Sequence, residues 1–126
     1  MQLVKGFILM ISLFAFSNSI SAQSAQSTAV VKNVDVSEFK NLMHDKNVVI
    51  LDVRTPQEVA QGKIEGAKNI NLFQDFETNI EKLDKSKTYL VYCRSGHRSA
   101  KATNIMANAG FTKIYNLLGG YNAWSR

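Results

Sequence analysis

From residue 30 onward, short apolar runs alternate with segments whose apolar positions recur every three or four residues. Residues 48–53, Val-Val-Ile-Leu-Asp-Val, are almost continuously apolar, the pattern of a strand buried on both faces. Residues 30–34, 88–92 and 113–117 read as further strands, and residues 67–72 as a short one after a turn bracketed by Gly62 and Gly66. Helical periodicity fills the intervals. Residues 37–44 bring Phe39, Leu42 and Met43 to one side, and residues 73–83 place Phe73, Phe76, Ile80 and Leu83 on one stripe. Residues 100–109 set Ala102, Ile105, Met106 and Ala109 on one face, with Gly110 as the stop. Thr55, Pro56 and Glu58 spell a helix start: a cap, a proline at the first helical position and an acid that completes a capping box. Gly119-Gly120 leads into a last helix, where Tyr121 and Trp124 close the core. The alternation predicts an α/β fold, a parallel sheet with helices on both faces. Reactive groups then belong at the carboxyl ends of strands, where Cys93 and Asp52 both fall.

The first residues follow a different pattern. Lys5 precedes an apolar stretch over residues 7–16, and residues 17–22 are small and mostly polar. That is the layout of a secretory signal peptide, too short in its apolar part to span a bilayer comfortably. Cleavage is expected after Ala22, with Ser21 and Ala25 as alternatives, and residues 23–29 read as a flexible tether. Residues 30–126 then form one small domain, exported to a periplasm or the exterior, with no stable membrane span after processing. The leader holds one lysine and no acid, so its loss takes the net charge from +5 to +4. The remaining lysines are scattered, without the basic stripe that nucleic-acid binding needs. Mild basicity favours solubility and is compatible with a small anionic ligand.

Cys93 is the single cysteine, so no internal disulfide is possible, and a lone cysteine in an exported domain is a candidate reactive thiol. It follows the apolar strand 88–92 and opens the run Cys93-Arg94-Ser95-Gly96-His97-Arg98-Ser99 ahead of a helix. Loop N–H groups and the positive end of a helix dipole converge at such a place and form an anion cradle. Arg94 and Arg98 add positive charge, which lowers a thiol pKa and suits an anionic substrate. Gly96 permits a tight loop, Ser99 is suited to cap the following helix, and His97 either tunes the loop's charge or faces solvent. Asp52 reads as a structural acceptor, Glu58 as the capping-box acid, and Arg54 as reaching either the site or Glu58.

The run Cys93 to Ser99 resembles the active-site loop of the rhodanese family, C-R-x-G-x-R-S. Asp52-Val53-Arg54 with Glu58 resembles its D-V-R-x-x-x-E segment, and residues 62–70 resemble its G-H-I-P-G-A-x-N-I turn. Residues 110–124 are similar to its closing G-F-x-x-V-x-x-L-x-G-G-x-x-x-W. Lys63 and Glu65 replace the histidine and proline of that turn, which alters the charge beside the expected pocket mouth. The resemblance implies a rhodanese-like domain, a five-stranded parallel sheet flanked by helices, and a sulfurtransferase working through a persulfide on Cys93. It implies no metal and no cofactor. Its partners would be a small anionic sulfur donor such as thiosulfate, a thiol or cyanide as acceptor, and a possible protein acceptor. The loop amides of residues 94–98 would hold the persulfide, Arg94 would bind the donor, and Arg98 would do the same or brace the loop against a carboxylate. A carrier that binds a partner without turnover is the alternative. Cysteine phosphatases use C-x5-R, one residue longer than the Cys93–Arg98 spacing here.

Overall fold

The computed structural model describes residues 29–126; the expected leader and residues 23–28 of the expected tether lie outside them. Five strands and five helices alternate: β1 (Val30–Val34), α1 (Val36–Leu42), β2 (Val48–Asp52), α2 (Pro56–Ala60), β3 (Lys68–Asn69), α3 (Phe76–Ile80), β4 (Thr88–Tyr92), α4 (His97–Asn108), β5 (Lys113–Leu117) and α5 (Gly120–Trp124). All pairings are parallel, in the order β1-β5-β4-β2-β3. The α/β fold and the parallel five-stranded sheet are therefore as the sequence predicts.

Strand pleat divides the core in two. Leu51, Tyr89, Val91 and Ile114 pack with Phe76, Ile80, Ala102, Met106 and Phe111 on the side of α3 and α4. Leu90, Tyr92 and Leu117 face the other way, with Phe39 of α1 and the half-buried Trp124 of α5. Two edge-on aromatic pairs, Tyr89–Phe111 at 5.1 Å and Phe39–Trp124 at 6.0 Å, lock one helix layer each. Leu90 is fully buried, which contributes about 1.5–3 kcal/mol.

The topology fixes where a ligand can enter. From β2 the chain crosses outward to β3, whereas from β4 it crosses the opposite way to β5. The loops after β2 and β4 thus part at a crevice between adjacent strand ends, paired through Asp52 and Tyr92. Such a switch point is where open α/β sheets bind ligands.

Two expectations fail beside this crevice. Ladder pairing in the third strand is confined to Lys68–Asn69, although Ile70 and Leu72 still donate to Asp52 and Val53 carbonyls at 2.9 and 3.0 Å. The helix expected over residues 73–83 is only Phe76–Ile80. Asp75 adopts a left-handed φ of 53° ahead of it, and the Asn71 side chain accepts from the Phe73 N–H, which makes a turn instead. Phe73 therefore leaves the apolar stripe and stands 69% exposed.

Candidate active site

Cys93 lies directly beyond β4, with no exposed surface. Its Sγ accepts hydrogen bonds from the Gly96 N–H at 3.1 Å and the Ser99 hydroxyl at 3.3 Å. Burial pushes the thiol pKa up, but the Ser99 hydroxyl and the N–H groups of Ser99, Gly96 and Ser95 outweigh it. The net result is a thiol more acidic than usual. The N-terminus of α4, a helix of 12 residues, points at the same sulfur and favours the thiolate further.

Helix α4 starts at His97, three residues before the expected position, and this changes the role of Ser99. Gly96 is the N-cap, with a left-handed φ of 106° that a side chain would strain. Ser99 does not cap the helix; it sits inside the first turn with its hydroxyl on the sulfur. Ser95 and His97 are exposed.

The loop is fastened from behind by α5. Tyr121 donates its N–H to the Cys93 carbonyl at 2.8 Å, and Asn122 donates to the Arg94 carbonyl at 3.0 Å. Gly120 makes this approach possible, because a Cβ there would lie 2.6 Å from the Cys93 and Arg94 carbonyl oxygens. Sequence reasoning passed over this function of the Gly119-Gly120 pair. Two adjacent glycines ahead of a short helix were the available signal.

Asp52 and Arg54 form the other wall as a closed structural unit. Asp52 accepts from the Arg54 guanidinium at 2.8–3.2 Å, from the Arg54 N–H at 3.0 Å and from the Tyr92 hydroxyl at 2.6 Å. Arg54 also donates to the Gly62 carbonyl at 2.7 Å and lies 4.6 Å over the Tyr121 ring. It is 1% exposed and bonds to neither Glu58 nor the sulfur, so both open readings of Arg54 give way to a partnership with Asp52. Burial and the hydrogen bond to Asp52 raise the Tyr92 hydroxyl pKa, so it stays a donor at neutral pH.

Glu58 does more than its capping box requires. The box is formed: Thr55 Oγ1 accepts from the Glu58 N–H at 3.3 Å, and Glu58 Oε1 accepts from the Thr55 N–H at 3.1 Å. The same carboxylate takes both forks of Arg98 at 2.8 Å and Arg94 Nε at 3.0 Å. The Arg98 bonds, followed by the Thr55 and Arg94 bonds, hold its pKa far below the ordinary carboxylate range against burial. One acid after β2 thus bridges the crevice to both loop arginines. The sequence held a clue: two arginines beside a reactive loop with one carboxylate at the facing helix start.

Two surface grooves of about 540 and 520 Å³ run beside α3, and Cys93 lines neither.

A parallel α/β sheet with a helix-capped, acidified thiol at its central strand end defines the class of protein, and comparison gives the particular family. Residues 35–126 match the family described as Rhodanese-like domain, and the chain belongs to it. A thiosulfate sulfurtransferase of Arabidopsis thaliana is 36% identical over 119 residues, covering 84% of this chain and 87% of its own. A crystal structure of a rhodanese-like domain protein from Staphylococcus aureus aligns with TM-score 0.66 at 36% identity, over 74% of this chain and 90% of that one. A tRNA uridine(34) hydroxylase of Cytophaga hutchinsonii is 37% identical over 71% of this chain, which spans 30% of that longer protein. Sulfurtransferase-type activity is thus supported for this chain at the level of its family.

Proposed function

We propose that this protein moves sulfane sulfur from thiosulfate or a related donor to a thiophilic acceptor through a persulfide on Cys93, and that it does so outside the cytoplasm. The observation that carries this reading is the Cys93 sulfur held by Gly96 and Ser99 at the head of α4. In the first half-reaction the Cys93 thiolate attacks the outer sulfur of the donor. A new S–S bond forms, the donor's own S–S bond breaks, and sulfite leaves with the electron pair. In the second, cyanide or a thiolate attacks the outer sulfur of the persulfide, and the Cys93 thiolate leaves with the bonding pair. The loop amides stabilise negative charge on sulfur at both stages. Arg94 is the donor-binding group: only its Nε is bonded to Glu58, and its side chain is 44% exposed. Arg98, bonded through both terminal nitrogens to Glu58, braces the loop.

The test is the intact mass of the protein after thiosulfate, without reductant. A gain of one sulfur atom, absent in Cys93→Ser, is the expected result; no gain, or a gain that survives Cys93→Ser, overturns the reading. Repeated turnover with cyanide then separates an enzyme from a carrier. Export is tested on protein from cells: the mature chain is expected to begin near residue 23 and to lie outside the cytoplasm.

A further inference from the structure

Among the described residues, Phe73 is the most exposed of the large apolar side chains, and it stands beside the reactive loop. Its ring centre lies 5.9 Å from the Arg98 guanidinium carbon, and Arg98 belongs to the loop that Cys93 opens. The backbone fixes the ring there. The Leu72 N–H is held on the Val53 carbonyl at 3.0 Å, the Phe73 N–H on the Asn71 side chain at 3.0 Å, and the Gln74 N–H on the Asn71 carbonyl at 3.2 Å. A ring kept in water forfeits the stabilisation that burial would return. Position 73 also falls outside residues 52–58, 62–70, 93–99 and 110–124, the stretches that carry the family resemblance, so the ring is a feature of this chain. Phe73 is at the same time a wall of the 520 Å³ groove between α3 and α4, where Leu72, Phe76 and Ile105 continue the apolar lining. The charges on that groove are Asp75, Glu77 and Lys101, two acids against one lysine. Beside a loop with two arginines, this groove is apolar in its wall and mildly acidic, which suits an uncharged body better than an anionic one.

We infer that Phe73 is a specificity-determining residue for the sulfur acceptor: with the groove behind it, Phe73 selects thiols carried on an uncharged apolar arm over small or anionic ones. The inference rests on Cys93 as the sulfur carrier, and it names the class of acceptor that empties the carrier. The chemical step is that of the second half-reaction. The acceptor thiolate, RS⁻, attacks the outer sulfur of the Cys93 persulfide and forms the S–S bond of RSS⁻. The bond to Cys93 breaks, and its electron pair returns to the Cys93 thiolate. The arm R lies against the Phe73 ring and along the groove, so apolar contact there adds to the rate of transfer. Cyanide and short thiols have nothing to place against the ring.

The test loads Cys93 with sulfur from thiosulfate and then adds mercaptoethanol or mercaptohexanol, two uncharged thiols that differ in the length of the apolar arm. The readout is the second-order rate at which each thiol removes one sulfur atom from the intact mass. The ratio of the two rates cancels any loss of active protein, and comparing it between variants cancels the thiols' own reactivities. Phe73→Ser is expected to lower the preference for mercaptohexanol about four- to fifteenfold, the worth of one to two buried methylene groups. Phe73→Leu should keep most of that preference. Mercaptohexanoate tests the charge: Glu77→Gln is expected to raise its rate relative to mercaptohexanol. A merely structural Phe73 would slow both uncharged thiols alike, and an unchanged ratio in Phe73→Ser overturns the inference. An unchanged mercaptohexanoate rate in Glu77→Gln overturns the preference for an uncharged arm. Failure of the unaltered protein to load sulfur on Cys93 is a different result, and it overturns the sulfur-carrier reading itself.

Discussion

Cys93 is fully buried, yet its thiol is acidified, because the hydrogen bonds aimed at sulfur exceed the cost of desolvation. Ser99 supplies the side-chain part of that effect. Ser99→Ala should raise the Cys93 pKa, so the pH profile of alkylation should move toward or past the ordinary thiol value of about 8.5. An unmoved profile would mean that the backbone amides suffice. At this scale the sequence was informative about chemistry and weak about partners. Cys93, Arg94 and Arg98 were legible because a lone thiol set among arginines at a strand end has the surroundings of a nucleophile and not of a core residue. The role of Ser99 was hidden by the helix start: with the helix begun at residue 100, Ser99 looks like a cap, and beginning it at His97 turns the hydroxyl onto the sulfur. Glu58 was hidden for another reason, since its capping box accounted for it already.

Among the elements, strands β2 and β4 were plain in their apolar runs, and α2 in its proline and capping box. The helix expected over residues 73–83 was not. Its apolar spacing is real, but the left-handed backbone at Asp75 breaks the path; aspartate is among the few residues enriched at positive φ, a signal too weak to outweigh the apolar stripe. Close approach of α5 to the Cys93 loop gives the element its energetic weight. Gly120→Ala adds a methyl against the Arg94 carbonyl at a φ of 55°, and the strain and overlap together should cost about 2–5 kcal/mol in urea unfolding. The same variant should raise the Cys93 pKa, because displacing the loop loosens the N–H groups around sulfur. Leu90→Ala, on the sheet face away from the sulfur, should cost about 2–5 kcal/mol with little change in the alkylation profile of the folded protein.

For the whole molecule, the winding of the sheet decides what can meet. Residues 58, 94 and 98 converge only because the connections after β2 and β4 diverge, and that follows from the strand order rather than from any local pattern. Five parallel strands could be counted from the sequence, and a carboxylate brace for Arg98 was among the expectations, but not that Glu58 across the crevice supplies it and also takes Arg94. The same bridge gives a pH signature. Glu58 has a folded pKa well below its ordinary 4.5, so its contribution to stability is fully present above that ordinary value and is lost as pH falls through the folded one. The stability gap between the protein and Glu58→Gln should therefore be smaller at about pH 3 than at about pH 7, read from urea midpoints. A gap that widens in acid would contradict this sign.

A ribosome builds the chain from its amino end, so Tyr121 and Asn122 emerge after every strand of the sheet. The two bonds by which they hold the Cys93 and Arg94 carbonyls cannot exist before then. A chain cut short after β5 would lack both bonds, and its Cys93 alkylation profile is expected to lie closer to that of an ordinary thiol than the profile of the full chain.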